Sequence, residues 1–319
     1  MEDNVKLINQ LKDKYEELRK EIAEKIVGQE EVINKVLISI FSNGHCLLIG
    51  VPGLAKTLLV TAISETLDLK YNRIQFTPDL MPSDIIGTEI LDNNRQFKFI
   101  EGPLFSNIIL ADEINRTPPK TQSALLEAMQ EREVTAAGIT RPLSQPFFVL
   151  ATQNPIEQEG TYPLPEAQLD RFMFSVILDY PTLEEEIAFV ENTTGEGLKK
   201  LRKVINGDEI LKYQSVIRLM PVPKHITEYA VKLVAKTRPG KPGAHAMAEK
   251  YLNWGAGPRA SQFLISGAKT YAALQGKYSP DIDDVKYVAH SILRHRIFRN
   301  YKAEAEHIQV ENIIDELIK

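Results

Sequence analysis

The sequence predicts an α/β domain with a parallel sheet covered by helices, followed by an all-helical domain. Up to about residue 180, short apolar stretches alternate with helical stretches, a pattern typical of parallel strands joined by helices. Beyond Pro181, helical patterns and polar loops replace the strands. We therefore expect an α/β domain at 1–180, a linker at 181–223 and a helical lid domain at 224–319.

Local patterning places the elements. Strands are predicted where β-prone apolar runs lie between turn residues, at His45–Ile49, Tyr71–Phe76, Asn107–Leu110, Phe147–Thr152 and Phe172–Val176. Helices are predicted after residue 181 where apolar residues recur at helical spacing, at Thr182–Asn192, Asp208–Leu219, Lys224–Lys236, Ala246–Trp254, Pro258–Leu274, Asp281–His295 and Val310–Lys319. Hairpins are predicted at about 88–100 and about 133–145, where turn residues separate β-prone arms.

The first segment is predicted to be an amphipathic helix. Its apolar residues recur at spacings of three and four, namely Leu7, Leu11, Tyr15, Leu18, Ile22 and Ile26. Such a face either packs on the chain's own domain, which we favour, or pairs with a partner helix in a coiled coil.

The composition is that of a globular protein with a sizeable core and no membrane segment. Apolar residues make up 43% and charged residues 25% of the 319 residues, and the net charge is −5. A negative net charge provides no overall field that attracts nucleic acid or a membrane surface. No apolar run approaches the roughly 18 residues that cross a bilayer, and the charged N-terminus lacks a signal-peptide pattern. We expect a cytoplasmic protein that binds neither membrane nor nucleic acid.

A phosphate-binding loop is predicted between the first strand and a helix that starts near Leu58. Small residues there let backbone N–H groups converge on phosphates, and the helix N-terminus adds partial positive charge. Lys56 would reach the β- and γ-phosphates of ATP, and the Thr57 hydroxyl would bind Mg²⁺. The other residues of the loop are Gly50, Val51, Pro52, Gly53, Leu54 and Ala55.

Ala55 stands where glycine is usual in this motif. A methyl group is tolerated there if its φ is negative, and its presence weakens the motif when the loop is considered alone. Taken alone, the loop also remains compatible with an ordinary strand–turn–helix.

Two carboxylates at the end of the strand Asn107–Leu110 complete the predicted site. Asp112 is placed to hold Mg²⁺ through water, and Glu113 to orient or deprotonate the attacking water. Such a pair also caps helices, but the phosphate-loop motif and this one support each other.

Three further polar residues are candidates for the same chemistry. Asn154 follows the strand Phe147–Thr152, where its amide either holds the water beside Glu113 or stabilises the turn before a proline. Arg171 precedes the last strand and is either functional or paired with its neighbour Asp170. Arg259 lies in the first turn of a helix, where a cation is electrostatically misplaced, which hints at an anionic ligand; a solvated arginine is the alternative.

From Val27 to the C-terminus these motifs resemble the MoxR family of AAA+ ATPases. The variation at Ala55 also occurs in that family. The matching stretches are Gly50–Thr57, Leu110–Arg116, Ala124–Glu131, Ala151–Pro155, Leu164–Phe172 and Gly257–Ser261.

The resemblance assigns roles to residues that spacing alone does not. It implies that Asn154 is the first sensor, Arg171 the arginine finger and Arg259 the second sensor, and that Val27, Gly28 and Gln29 lie near the adenine. The two hairpins resemble the family's insert in helix 2 and its insert before the first sensor strand.

The resemblance also implies an assembly and partners. Relatives form homo-oligomers, as hexameric rings, and many remodel or activate metalloenzymes and other complexes, often with a protein that contains a von Willebrand factor A domain. In such a sheet Arg171 would lie at the subunit edge and act on the ATP of a neighbour. The long connection at 181–223 further predicts that the helical domain is displaced from its own nucleotide face, so that Arg259 either serves a neighbouring subunit or acts only in the ring.

Several functions remain compatible with the sequence. An ATP-hydrolysing remodelling machine is preferred. The alternatives are a chelatase-like metal-insertion motor, a nucleotide-gated switch with negligible turnover, and a DNA-processing ATPase. Glu113 argues against the switch because a pure switch needs no water-activating carboxylate, and the acidic net charge argues against DNA.

Overall fold

The computed structural model describes residues 2–51, 53–157, 160–194 and 200–319. In chain order its strands are β1 (Cys46–Ile49), β2 (Tyr71–Gln75), β3 (Gly87–Leu91), β4 (Phe97–Glu101), β5 (Ile108–Asp112), β6 (Glu133–Ala136), β7 (Ile139–Pro142), β8 (Phe148–Gln153), β9 (Phe174–Ile177), β10 (Leu252–Trp254) and β11 (Phe298–Arg299). Its helices are α1 (Glu2–Ala23), α2 (Glu30–Phe41), α3 (Lys56–Thr66), α4 (Pro82–Ile86), α5 (Pro119–Glu131), α6 (Glu166–Leu169), α7 (Leu183–Thr194), α8 (Gly207–Leu219), α9 (Lys224–Lys236), α10 (Ala246–Tyr251), α11 (Pro258–Leu274), α12 (Ile282–Leu293), α13 (Tyr301–Ala305) and α14 (Val310–Ile318).

The α/β part is built on a five-stranded parallel sheet with the order β2-β5-β8-β1-β9. Because the strands are parallel, all five end at one edge of the sheet, which we call the carboxyl edge, and begin at the opposite, amino edge. The central strand β1 lies between β8 and β9, with Cys46 opposite both Leu150 and Phe174.

All five predicted core strands are confirmed, with shifted ends. β5 runs two residues further than predicted and therefore includes Asp112. β9 starts at Phe174 instead of Phe172, because the Phe172 amide closes a turn on the Leu169 carbonyl at 3.1 Å.

The two faces of the sheet have separate hydrophobic clusters. We call the segment from α9 to α14 the helical part. One cluster joins α1, α2 and β9 to the helices α11, α12 and α14, so the helical part shares a core with the sheet. The other cluster lies under α5 and β6 on the opposite face. The predicted helix α1 buries its apolar stripe in the first cluster and packs against α3, α8 and α11, so its face is used within the chain.

The helical part departs from the prediction around β10, and it contains two short elements that were not predicted, β11 and α13. The predicted helix Ala246–Trp254 ends at Tyr251, and Leu252–Trp254 instead forms β10, which pairs with β11. The segment 181–223 contains α7 and α8, at the two places where helices were predicted. The division into domains at 180 and 224 stays a prediction.

Both predicted hairpins are present, as β3–β4 and β6–β7. They expose apolar side chains to solvent, among them Ile90, Leu91, Phe97, Ile100 and Ile139. Within the described ranges, every helix is too short or too polar to cross a bilayer.

Candidate active site

The predicted nucleotide-binding residues meet at the carboxyl edge of the sheet. The loop that starts at Gly50 follows β1, Asp112 ends β5, and Asn154 follows β8. Since β5, β8 and β1 are consecutive in the sheet, these three segments are neighbours. The sequence prediction that one site combines them is therefore consistent with the topology.

The loop has the features of an anion site. α3 begins at Lys56, and no side chain caps its first N–H groups, which leaves these donors open to a phosphate. Gly53 has φ +88°, a conformation that favours glycine. At Gly50 a Cβ atom would lie 2.8 Å from the Leu178 side chain, so the loop passes too close to β9 for any larger residue. Pro52 lies outside the described residues.

Ala55 does not have the negative φ at which a methyl group is readily tolerated, because its φ is +53°. Ala55 caps α3 in the left-handed conformation, and its carbonyl accepts the Leu59 N–H at 2.9 Å to start the helix. This conformation costs a residue with a side chain roughly 1–2 kcal/mol. Glu113 and Gln29 also have φ +57° each, so three residues of the candidate site adopt the left-handed conformation.

Lys56 lies folded over the loop, where its Nζ donates a hydrogen bond to the Gly50 carbonyl. Partial burial lowers the pKa of the Lys56 ammonium below its usual range, and the charges of Asp112 and Glu113 oppose that shift. Thr57, the next residue, is exposed at the mouth of the site. Their roles towards a phosphate and its metal ion stay predictions.

Asp112 has a partner on each carboxylate oxygen. Its Oδ2 accepts hydrogen bonds from Arg73 Nη2 at 2.7 Å and Nε at 3.1 Å, and its Oδ1 accepts one from the Thr152 hydroxyl at 2.6 Å. The Thr152 hydroxyl in turn accepts the Glu113 N–H at 2.9 Å. Thr152 therefore fixes both carboxylate residues relative to β8.

Glu113 is held on one side only. Its Oε2 accepts hydrogen bonds from Gln75 Nε2 at 2.8 Å and from Arg116 Nη1 at 3.1 Å. These contacts leave Oε1 without a hydrogen bond to the part of the chain that the structure describes. One oxygen is thus anchored, and the other is open to a water molecule.

The side chain of Asn154 makes contacts that stabilise the turn after β8, as one of its two predicted roles requires. Its Oδ1 accepts the Ile156 N–H at 3.1 Å, and its Nδ2 donates to Glu157 Oε2 at 3.3 Å. The side chain lies at the carboxyl edge as expected, and its role as a sensor stays a prediction.

A cavity of about 230 Å³ adjoins the loop on the side of Gln29. It is lined by Lys25, Ile26, Val27, Gln29, Gly53, Leu54, Ala55, Leu58, Tyr180, Pro181, Glu185, Glu186 and Phe189. The Gln29 Oε1 atom is buried there without a hydrogen-bond partner among the described residues. Gly28, with φ +69°, packs directly under the Glu185 carboxylate. The slot is mainly apolar and has an orphaned acceptor, which is compatible with the adenine position predicted near Val27, Gly28 and Gln29; that position stays a prediction.

The candidate residues Arg171 and Arg259 do not join this site. Arg171 precedes β9 and therefore lies at the amino edge, where the Met173 N–H binds the His45 carbonyl at 2.8 Å. From Phe174 to Leu178, beside the start of the loop, the strand advances four residues or ~13 Å, and Arg171 lies further back.

Asp170 does not form the structural pair with Arg171 that the sequence left open. Its Oδ2 accepts Arg259 Nη1 at 2.9 Å, and its Oδ1 accepts Arg296 Nε at 2.7 Å. Arg171 forms no side-chain hydrogen bond or ion pair with the described residues. The anion suggested by the position of Arg259 is, in this structure, Asp170.

Sequence reasoning missed Arg73, Gln75, Thr152 and Arg296. Arg73 and Gln75 are two residues apart on β2 and so point to the same side. The two polar residues on one side of a strand were a signal in the sequence. The residues that they contact could be identified only from the pairing of β2 with β5, which places Gln75 opposite Asp112.

The comparisons with known proteins agree with this fold. A model of the "ATPase family associated with various cellular activities (AAA)" matches residues 45–174, and a model of the AAA lid domain matches residues 244–317. The sheet, the phosphate loop and the two matches define a P-loop ATPase of the AAA+ class.

Relatives identify the family within that class. The chain is 42% identical over 302 residues to Chaperone MoxR1 of Mycobacterium tuberculosis, which covers 94% of this chain and 79% of the relative. It is 28% identical to Protein MoxR of Methylorubrum extorquens, over 95% of this chain and 93% of that protein. A crystal structure from Cytophaga hutchinsonii, described as that of a "putative ATPase", superposes with a TM-score of 0.92 at 44% identity, over 98% of this chain and 96% of that one. The chain belongs to the MoxR family of AAA+ ATPases.

The contacts of Thr152 generate a first prediction. Thr152→Val keeps the shape of the buried side chain but removes both hydrogen bonds to the carboxylate residues. Loss of an outer contact to a metal-holding group typically costs about 10- to 100-fold in metal affinity or activity. We expect the variant to hydrolyse ATP about 10- to 100-fold more slowly than the unchanged protein. It should also need more Mg²⁺ to reach half of its maximal rate, which a Mg²⁺ titration measures.

Thr270→Val is the matched control. Thr270 is also buried, and its hydroxyl also makes two hydrogen bonds, to Ser42 and Ser266, but in the helical part of the chain. Its Mg²⁺ dependence should remain that of the unchanged protein. An unaltered Mg²⁺ titration of Thr152→Val would contradict the role given to Thr152.

Proposed function

We propose that this chain hydrolyses ATP with Mg²⁺ and uses the cycle to remodel or activate a partner protein. The observation that supports hydrolysis most directly is Glu113, which follows the metal-holding candidate Asp112 and keeps one carboxylate oxygen open. A protein that only binds and releases nucleotide does not need such a base.

Different residues of the candidate site are assigned to nucleotide binding, metal binding and activation of the water. The N-terminus of α3 and the Lys56 ammonium bind the phosphates, and Gln29 with its apolar neighbours accepts the base. Thr57 and Asp112 would hold Mg²⁺, which when bound neutralises charge on the phosphates. Glu113 Oε1 orients the water and takes its proton, while Gln75 and Arg116 hold the other oxygen. Arg73 must release Asp112 Oδ2 or share it when the metal ion enters.

The site is completed by a second copy of the chain. Phosphoryl transfer gains from a cation beside the γ-phosphoryl oxygens, and an arginine there is worth about 10³–10⁵ in rate. Arg171 and Arg259 lie at the amino edge of their own sheet, away from Lys56. We infer that both serve the ATP of a neighbouring subunit in a ring, for which we propose six copies.

The client is proposed to be a protein. One relative is named a chaperone, and the hairpins β3–β4 and β6–β7 expose apolar side chains, a feature typical of interaction surfaces. A partner with a von Willebrand factor A domain and a cytoplasmic location both stay predictions.

The central chemical prediction separates binding from turnover. Glu113→Gln removes the base but no nucleotide contact, so ATP binding should persist while hydrolysis falls by about 10²–10⁴. Lys56→Ala removes the phosphate cation, so it should lose binding as well. Both are measured with a fluorescent ATP analogue and a phosphate-release assay.

Glu127→Gln is the control for the glutamine substitution, because Glu127 is an exposed carboxylate on α5. It should hydrolyse ATP normally. Near-normal hydrolysis by Glu113→Gln would place the base elsewhere, and tight binding by Lys56→Ala would contradict the phosphate-loop assignment.

A mixing experiment tests the shared site. Arg171→Ala and Lys56→Ala should each be nearly inactive, because one lacks the arginine and the other lacks bound ATP. Mixed rings should regain activity, since a Lys56→Ala subunit lends its intact Arg171 to a neighbour that binds ATP. The rate per subunit of the unchanged protein should also rise with concentration as rings assemble.

Ring mixing is checked by co-purifying differently tagged subunits. If mixed rings form and no activity returns, or if dilute monomer hydrolyses ATP at the full rate, Arg171 is not supplied by a neighbour.

A further inference from the structure

The helical part of the chain grips the backbone on both sides of Arg171. Arg296, just beyond α12, has a side chain that is only 2% exposed. Its Nη2 donates to the carbonyls of Asp170 at 2.9 Å and Phe172 at 2.6 Å, and its Nη1 donates to that of Met173 at 3.3 Å. The arginine finger candidate is thus held from within by a buried guanidinium.

Asp170 extends this anchor to the second candidate arginine. One carboxylate oxygen accepts the buried Arg296 Nε, and the other accepts Arg259 Nη1. Burial lowers the pKa of Arg296 to about 10, and the charge of Asp170 opposes that shift. One carboxylate therefore ties together the strand end that carries Arg171 and the helix that carries Arg259.

The outer half of this contact does little for stability. Arg259 is 41% exposed, and an ion pair that is this accessible contributes little to folding. Its effect is geometric: it fixes a long, flexible side chain that otherwise samples many rotamers. Since Arg259 also lies in the first turn of α11, where the helix dipole disfavours a cation, Asp170 compensates an otherwise unfavourable placement.

We propose that Asp170 is a positioning residue that holds Arg171 and Arg259 as one unit aimed at the ATP of the neighbouring subunit. This role rests on the proposed function, because it presumes a site shared between copies. A catalytic group that is displaced by about 1 Å loses on the order of 10²-fold in rate, so the anchoring of the pair matters for turnover and not for binding.

Asp170→Asn tests the proposal because it separates the two halves of the contact. The asparagine oxygen still accepts the hydrogen bond from Arg296. Its amino group faces Arg259, and because both groups are hydrogen-bond donors, the contact with Arg259 is lost. We expect kcat to fall about 10- to 100-fold with KM for ATP unchanged, which indicates loss of an interaction made only in the transition state.

Mixing experiments show whether Asp170→Asn is defective at its own nucleotide site or in the arginines that it supplies, and this distinguishes positioning from a general structural role. Asp170→Asn has an intact nucleotide site and a faulty arginine pair, so mixing it with Lys56→Ala should restore activity. Mixing it with Arg171→Ala should not, because both variants are faulty on the same side of the subunit. Glu166→Gln, the same chemical change one helical turn earlier in α6, should behave like the unchanged protein.

Three results would overturn the proposal. The first is normal kcat in Asp170→Asn. The second is that Lys56→Ala restores activity to Arg171→Ala but not to Asp170→Asn. That result would support the shared site and refute only the role of Asp170. The third is loss of ATP binding in both Asp170→Asn and the charge-keeping Asp170→Glu, which would make Asp170 a folding residue. Failure of Arg171→Ala and Lys56→Ala to complement each other would instead refute the shared site itself.

Discussion

The parallel pairing of β1 with β8 on one side and β9 on the other is the constraint on which the site depends. It brings the phosphate loop after β1 next to the segment after β8, and through β8 next to the carboxylates of β5. The same pairing sends the start of β9, and Arg171 with it, to the opposite edge. One register therefore assembles the nucleotide-binding half of the site and separates it from the arginine half within a subunit. In the proposed ring, a complete site therefore combines two copies, with the amino edge of one against the carboxyl edge of the next.

The sequence predicted the fold and the carboxyl-edge residues because their signals are local. Lys56 follows a loop of small residues after one apolar strand, and Asp112 ends another, so residue type and order alone indicate the chemistry. The left-handed φ of Ala55 does not follow from the steric preference of a residue with a side chain, because the start of α3 imposes that conformation. The contacts Arg73–Asp112 and Asp170–Arg296 could not be predicted, since they join residues far apart in sequence whose proximity depends on strand order and on the packing of the helical part.

The helical part contributes to the arginine half of the site and not only to the stability of the chain. It shares one hydrophobic cluster with β9, and Arg296 fastens it to the backbone beside Arg171. A displacement of the helical part would therefore move both arginines together. In a ring this links the helical part of one subunit to the hydrolysis rate of the next, a physical route by which a bound partner protein can influence the ATP cycle.

The central claim is that each ATP is hydrolysed between two copies of the chain. The most direct measurement is a structure of the assembled Glu113→Gln variant with ATP and Mg²⁺ bound, since that variant is expected to retain its nucleotide. The account predicts that Arg171 of one subunit lies within hydrogen-bonding distance of the γ-phosphate held by Lys56 of the next, with Arg259 beside it and Asp170 still bound to Arg296. An assembly in which Arg171 contacts only its own chain, or in which Arg259 reaches the γ-phosphate of its own subunit, would contradict the account.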